Sequence, residues 1–177
     1  MKNYEFYLDN IKLTNNFDKK YLDDFIEIAN EKNRGFLLMS HNFNYPYTEE
    51  DLLNFIEKNR EMHNEIFEID FYIFYNGEIS GAIGLSDIDY LNLRSHVGYW
   101  IGKKYRNNGI ATKALSKIIE FSKKELNMHS LYTDVLTDNI PSINVLLKNN
   151  FELSGINKDS FYYNNKFYSS FFFSLIL

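Results

Sequence analysis

The sequence contains no cysteine. Disulfides, thiolate metal sites and a cysteine nucleophile are therefore excluded, and a reducing compartment fits. Long apolar runs are also missing. The longest, Phe171 to Leu177, is interrupted by Ser174 and falls far short of the roughly 20 residues that a membrane helix needs. It reads as a buried C-terminal strand, and no membrane association is expected. The first ten residues, MKNYEFYLDN, lack an apolar signal core, so a cytoplasmic protein is expected. His41, His63 and His129 show no metal-ligand spacing, and no metal is expected. A net charge of −5 argues against a general nucleic-acid binder.

What remains is ordinary globular material. The 177 residues, 45% hydrophobic and 24% charged, suit one domain spanning 1–177. Aromatics reach 18%, with 14 tyrosines and 16 phenylalanines, which favours a sheet-rich core. No linker, repeat or low-complexity run is visible, and the scattered asparagines read as compositional bias.

Hydrophobic periodicity gives the order of elements. Tyr4 to Leu13 reads as a first strand. Helices follow from about Lys19 to Glu31, opened by Asp18, and from Thr48 to about Arg60, where Thr48 caps and three acids favour the positive end. The span 33–47 reads as loop. Ile66 to Tyr75 and Glu78 to Leu85 form a hairpin around Asn76-Gly77, since both turn positions require positive φ. Leu93 to Gly102 is a strand, Gly109 to Leu126 a helix and His129 to Thr137 a strand. Asn139 caps a short helix. Phe151 to Tyr163 and Phe167 to Ile176 close the chain around Asn164-Asn165. The order β-α-α-β-β-β-α-β-α-β-β is that of an α/β domain with a mixed sheet and helices on both faces.

One stretch carries chemistry. Arg106-Asn107-Asn108-Gly109-Ile110-Ala111 stands after a strand and opens a strong helix. Glycine permits close backbone approach, and the amides of a first helical turn lack intrahelical partners. Such a turn suits a pyrophosphate, with Lys103, Lys104, Arg106 and Lys113 adding charge nearby. A capped helix beside a solvated basic loop accounts for the same residues equally well.

A second stretch decides between them. Asn139, Ser142, Leu146, Lys148 and Phe151 form N-x-x-S, L-x-K and a phenylalanine. Together with Gly98-Tyr99-Trp100-Ile101 and the R-x-x-G-x-A run, they resemble the GNAT superfamily of acyl-CoA-dependent N-acyltransferases, RimJ/RimL-like branch. The resemblance implies a mostly antiparallel mixed sheet, splayed between the strands near 93–102 and 129–137. It implies acetyl-CoA as co-substrate, held by the backbone of Tyr99, Trp100 and Ile101, by the turn Arg106, Asn107, Asn108, Gly109, Ile110 and Ala111, and by Asn139. Ser142 would support the departing thiolate. An amide near Tyr99 would stabilise the thioester oxyanion. A homodimer is compatible with the branch.

Departures from the branch bear on catalysis. Asn150 stands where a glycine is common, Ser154 where a glutamate is common, and His96 where an acid is usual. Leu146 occupies the position of a tyrosine acid found in many other members. His96, with an unperturbed pKa near 6.5, is the candidate base. Phe43, Tyr45 and Tyr47 are candidates for core packing first, and for the acceptor wall second. An α-amine, with pKa near ~8, needs less help to lose its proton than a lysine-type amine near ~10.4. The resemblance to the RimJ/RimL-like branch implies a protein or peptide N-terminal amine as the acceptor, which agrees with this. The alternatives are a small amine, such as a polyamine, amino acid or aminoglycoside, and a non-catalytic acyl-CoA-binding module.

Overall fold

Asp9 and Asn10 break the expected first strand in two. Asp9 takes a left-handed φ of 54°, which a short polar side chain tolerates at a turn. Strand β1 (Glu5–Leu8) therefore folds back on β2 (Ile11–Thr14). The computed structural model describes residues 2–31, 45–57, 60–62 and 65–177. Phe43, His41 and His63 lie outside the described residues.

Asp18 accepts a hydrogen bond from the Lys20 amide and opens a 3-10 turn, Lys19–Tyr21, that runs into α1 (Leu22–Ala29). Thr48 and Asp51 cap α2 (Glu49–Glu57) reciprocally. The Thr48 amide donates to Asp51 Oδ2 at 2.8 Å, and the Asp51 amide donates to Thr48 Oγ at 3.2 Å. The expected continuation to Arg60 is not observed, because Phe55 and Ile56 are the last inward apolar positions. Arg60–Met62 instead forms β3, a short strand beside β4.

β4 (Glu65–Tyr75) and β5 (Glu78–Asp89) turn at Asn76 and Gly77, with φ of 51° and 87°. β5 outruns its expected end at Leu85 through an irregularity between Ser86 and Asp89. The remaining elements are β6 (Arg94–Ile101), α3 (Ile110–Lys124), β7 (Ser130–Leu136), α4 (Ile140–Lys148), β8 (Glu152–Tyr163) and β9 (Lys166–Ile176).

The sheet order is β1-β2-β4-β5-β6-β7-β9-β8, and the β6–β7 pairing is parallel where the others are antiparallel. Strand alternation divides the core between its faces. On one face, Phe25 of α1 meets Tyr72 at 5.7 Å and Trp100 at 5.3 Å between ring centroids. On the other, Phe121 of α3 meets Phe71 at 5.3 Å. Full burial of such a side chain contributes about 1.5–3 kcal/mol, so these rings anchor the helices to the sheet.

Six asparagines stand at positions that the backbone demands. Asn76, Asn107, Asn127, Asn150, Asn164 and Asn165 all have left-handed φ. They occupy turns and helix ends, where asparagine serves in place of glycine. These six thus have a backbone role beside any compositional bias.

Candidate active site

The β6–β7 ladder ends early. Arg94 pairs with Ser130, Ser95 with Leu131 and His96 with Tyr132; beyond these, the strands part at the expected place. Each still has its outer neighbour: β6 pairs with β5 as far as Ile101, and β7 with β9 as far as Leu136. The Gly102 amide donates to the Ser80 carbonyl across β5 at 2.9 Å. Counting back in twos, Trp100 and Gly98 direct backbone groups toward β5, while Tyr99 directs its groups and Val97 its carbonyl into the opening, the Val97 amide being used in the pairing of His96 with Tyr132. Ile101 also faces that way, but its carbonyl accepts from Arg106 Nε at 2.9 Å. Of the three strand residues expected to hold an arm, Tyr99 is thus the best placed. Trp100 faces β5 with its backbone and Phe25 with its ring.

The turn after β6 is shaped by its own residues. Asn107 (φ 65°) and Gly109 (φ 71°) are left-handed. Asn108 Nδ2 donates to the carbonyls of Tyr105 at 3.0 Å and Arg106 at 3.2 Å. No side chain caps α3 at Gly109. The helix bond from the Lys113 amide to the Gly109 carbonyl closes the first turn, which leaves the amides before it available to an anion. Arg106, Asn107, Asn108 and Gly109 are exposed, Ala111 is half-buried, and Ile110 turns its side chain into the core. Lys104 and Lys113 are engaged by Glu78 at 3.3 Å and Asp9 at 2.7 Å.

Across the opening, Asn139 Oδ1 accepts from the Ser142 amide at 3.4 Å and caps α4. Ser142 Oγ lies 2.9 Å from the Tyr99 hydroxyl, so a side chain of β6 reaches α4 over the gap. Burial pushes the Tyr99 pKa up to about 12, and the Ser142 hydrogen bond opposes the shift. Sequence reasoning assigned Tyr99 a backbone role and missed this hydroxyl, because only the fold brings it to Ser142.

His96 lies on the face that carries α1. Its Nδ1 is hydrogen-bonded to Ser86 Oγ at 3.1 Å, and its ring meets Tyr132 edge-on at 5.6 Å. Burial lowers its pKa, with Asp87 and Asp134 pulling the other way. The imidazole is thus neutral near pH 7 and weak as a base. Leu146 is fully buried and has no part in the opening. Asn150, at φ 62°, ends α4: the Phe151 amide donates to Leu146 and the Asn150 amide to Leu147, both at 3.1 Å. These two bonds form a Schellman cap. Ser154 is exposed on β8 and bonds Ser174. Tyr47 packs on Phe25 at 6.2 Å, which is a core role, whereas Tyr45 is exposed. Among the described residues, no group of three or more His, Asp or Glu side chains is arranged to hold a metal ion.

An open sheet, free strand backbone and an uncapped helix N-terminus together define a protein that seats an extended, phosphate-bearing co-substrate. Residues 15–152 match the family model of the acetyltransferase (GNAT) domain. The chain belongs to that family and is an acyl-CoA-dependent N-acetyltransferase. It is 28% identical to the ribosomal-protein-serine acetyltransferase of Escherichia coli (strain K12) over 77% of this chain and 76% of that one. It is 26% identical to the spermidine N(1)-acetyltransferase of the same organism over 55% of this chain and 52% of that one. The fold matches that of RimL, a ribosomal L7/L12 alpha-N-protein acetyltransferase solved in complex with coenzyme A. That match has a TM-score of 0.84 and 18% identity, and covers 96% of each chain.

Proposed function

We propose that the protein transfers an acetyl group from acetyl-CoA to the α-amine of a protein or peptide N-terminus, by direct attack while both substrates are bound. The observation that carries this reading is the opening beside Tyr99, flanked by the uncapped amides of α3 and by the Tyr99–Ser142 pair. The outward backbone of Tyr99 and the Val97 carbonyl suit an amide-bearing arm. The turn Arg106 to Ala111 suits a pyrophosphate. Asn139 flanks the arm from α4. Acetyl-CoA supplies an activated thioester.

The chain's own groups supply the rest. The Tyr99 amide is placed to donate to the thioester oxygen as negative charge develops there. The Ser142 and Tyr99 hydroxyls, linked at 2.9 Å, form a donor pair for the departing sulfur, and the raised pKa of Tyr99 keeps it protonated at neutral pH. The weak basicity of His96 favours an acceptor that loses its proton readily, and an α-amine does so better than a lysine-type amine. The ribosomal-protein acetyltransferase among the relatives supports the same acceptor.

A second reading, transfer to a small polyamine, is favoured by one observation. A cavity of about 470 Å³ is lined in part by Glu65, Asp87, Asp89 and Tyr132, and Tyr132 touches His96. Arg94 also lines it and pairs with Asp89 at 3.6 Å, which leaves Glu65 and Asp87 as the carboxylates that suit a cation, as the spermidine acetyltransferase relative would require. Release of CoA thiol, measured with N-terminal peptides and with spermidine, separates the two. Faster turnover of peptides supports the first reading, and turnover of spermidine alone overturns it.

A further inference from the structure

Asp70 is an acid in the middle of an apolar strand. It is 9% exposed and sits on β4 directly opposite Gly84, which in turn sits opposite Gly98 of β6. The three form one row across the sheet, on the face that carries Tyr72 and Trp100. The carboxylate leans along this row. A Cβ built on Gly84 would lie 1.9 Å from Asp70 Oδ1, so the carboxylate fills the space that a side chain would take. Over Gly98, among the described residues, a Cβ would meet only the His96 ring, at 3.6 Å. On either side of this slot stand the rows Tyr72–Ala82–Trp100 and Ser86–His96. Its far end meets the opening, because β6 loses β7 as a partner just past His96.

We propose that Asp70 is the carboxylate that receives the acceptor's ammonium group over the Gly84–Gly98 floor and takes its proton. The inference rests on the transferase reading above and names the base for that same site. The carboxylate lies over Gly84, one strand spacing, about 4.8 Å, from Gly98. An amine over Gly98 is therefore within reach directly or through one water. Among the described residues, Tyr47 and Tyr72 feel the charge of the carboxylate, and Glu68 and the row of His96 share its face of the sheet. The negative charge of Asp70 helps burial to raise the pKa of both Tyr47 and Tyr72, so these two phenols remain neutral neighbours.

The ammonium gives one proton to Asp70, and the freed lone pair forms the C–N bond. The C–S bond breaks with its electron pair on sulfur. The second nitrogen proton reaches sulfur through Ser142 and Tyr99, and Asp70 returns its proton to solvent. The products are the acetylated amine, CoA thiol and one proton.

The test measures kcat/KM against pH with an N-terminal peptide, and acetyl-CoA affinity by calorimetry, for the wild type, Asp70→Asn and Gly84→Ala. Asp70→Asn is expected to lower kcat/KM by about 100-fold or more, to replace the low-pH limb of the carboxylate by a fall below about pH 8 set by the acceptor amine's own proton, and to leave acetyl-CoA affinity unchanged. Gly84→Ala keeps the carboxylate but displaces it, and is expected to lower kcat/KM while retaining the acid limb. It carries the test if Asp70→Asn does not fold. A wild-type profile with no acid limb overturns the assignment whatever the variants do. A folded Asp70→Asn with near-wild-type turnover overturns it and leaves the transferase reading intact. A wild type that binds acetyl-CoA but acetylates no amine overturns both.

Discussion

The Tyr99 hydroxyl stands 2.9 Å from Ser142 Oγ and 3.2 Å from the Ser142 carbonyl, joining β6 to α4 above the point where the sheet parts. Removing that hydroxyl breaks the link but spares the strand backbone. Tyr99→Phe is expected to lower kcat on the order of 100-fold and to leave acetyl-CoA affinity intact. With its pKa pushed up to about 12, Tyr99 holds its proton from pH 6 to 10. A basic limb in that range that disappears in Tyr99→Phe would contradict the donor role.

Gly109 separates conformation from space. Among the described residues a Cβ there meets nothing within 4 Å, yet φ is +71°. Gly109→Ala is expected to cost about 1–2 kcal/mol, the penalty for a left-handed L-residue, measured by denaturant unfolding. Gly109→Trp is expected to keep the fold and abolish acetyl-CoA binding, read by calorimetry. Unchanged affinity would remove the pyrophosphate assignment.

Asn150 fills the left-handed position of the α4 cap. Asn150→Gly is expected to leave both stability and turnover near wild type, because glycine adopts this conformation freely. Asn150→Ala is expected to lose about 1 kcal/mol. A large loss of kcat in Asn150→Gly, with the thermal midpoint retained, would show that the side chain takes part in the chemistry.

His96 gives stability a pH dependence of known sign. Its folded pKa lies below the ordinary 6.5, chiefly through burial, so the unfolded chain takes up the proton first. The stability tied to the neutral ring is complete above pH 6.5, declines as pH falls, and levels off below the folded pKa. Thermal midpoints recorded between pH 8 and 4 should show this decline, and His96→Asn should flatten it. An identical slope in both proteins would contradict the assignment.

Much of this architecture was legible because local rules agreed with it. The Asn76-Gly77 hairpin, the Thr48 helix start, the Asn139 cap and the strand–turn–helix around Gly109 each depend on a few neighbouring residues. The parting of β6 and β7 followed from a family resemblance, not from periodicity, since it is set by long-range pairing. Two features stayed hidden. Asp9-Asn10 looked like part of one strand, because Phe6, Leu8, Ile11 and Leu13 form a single apolar series of strand length, although its alternation shifts by one residue at the turn. Asp70 was visible only as an acid interrupting Ile66 to Tyr75. Its significance required two glycines, 14 and 28 residues further on, to be laid beside it by strand register.

The left-handed asparagines set a chemical clock as well as a shape. Relative to glycine, each restricts the unfolded chain and so favours folding. Asparagine is also among the residues that degrade with heat, and here it occupies exposed turns such as Asn76, Asn164 and Asn165. Prolonged warming should therefore damage this protein first at its hairpin tips, through covalent ageing of the turns, while the aromatic core between the helices and the sheet is still intact.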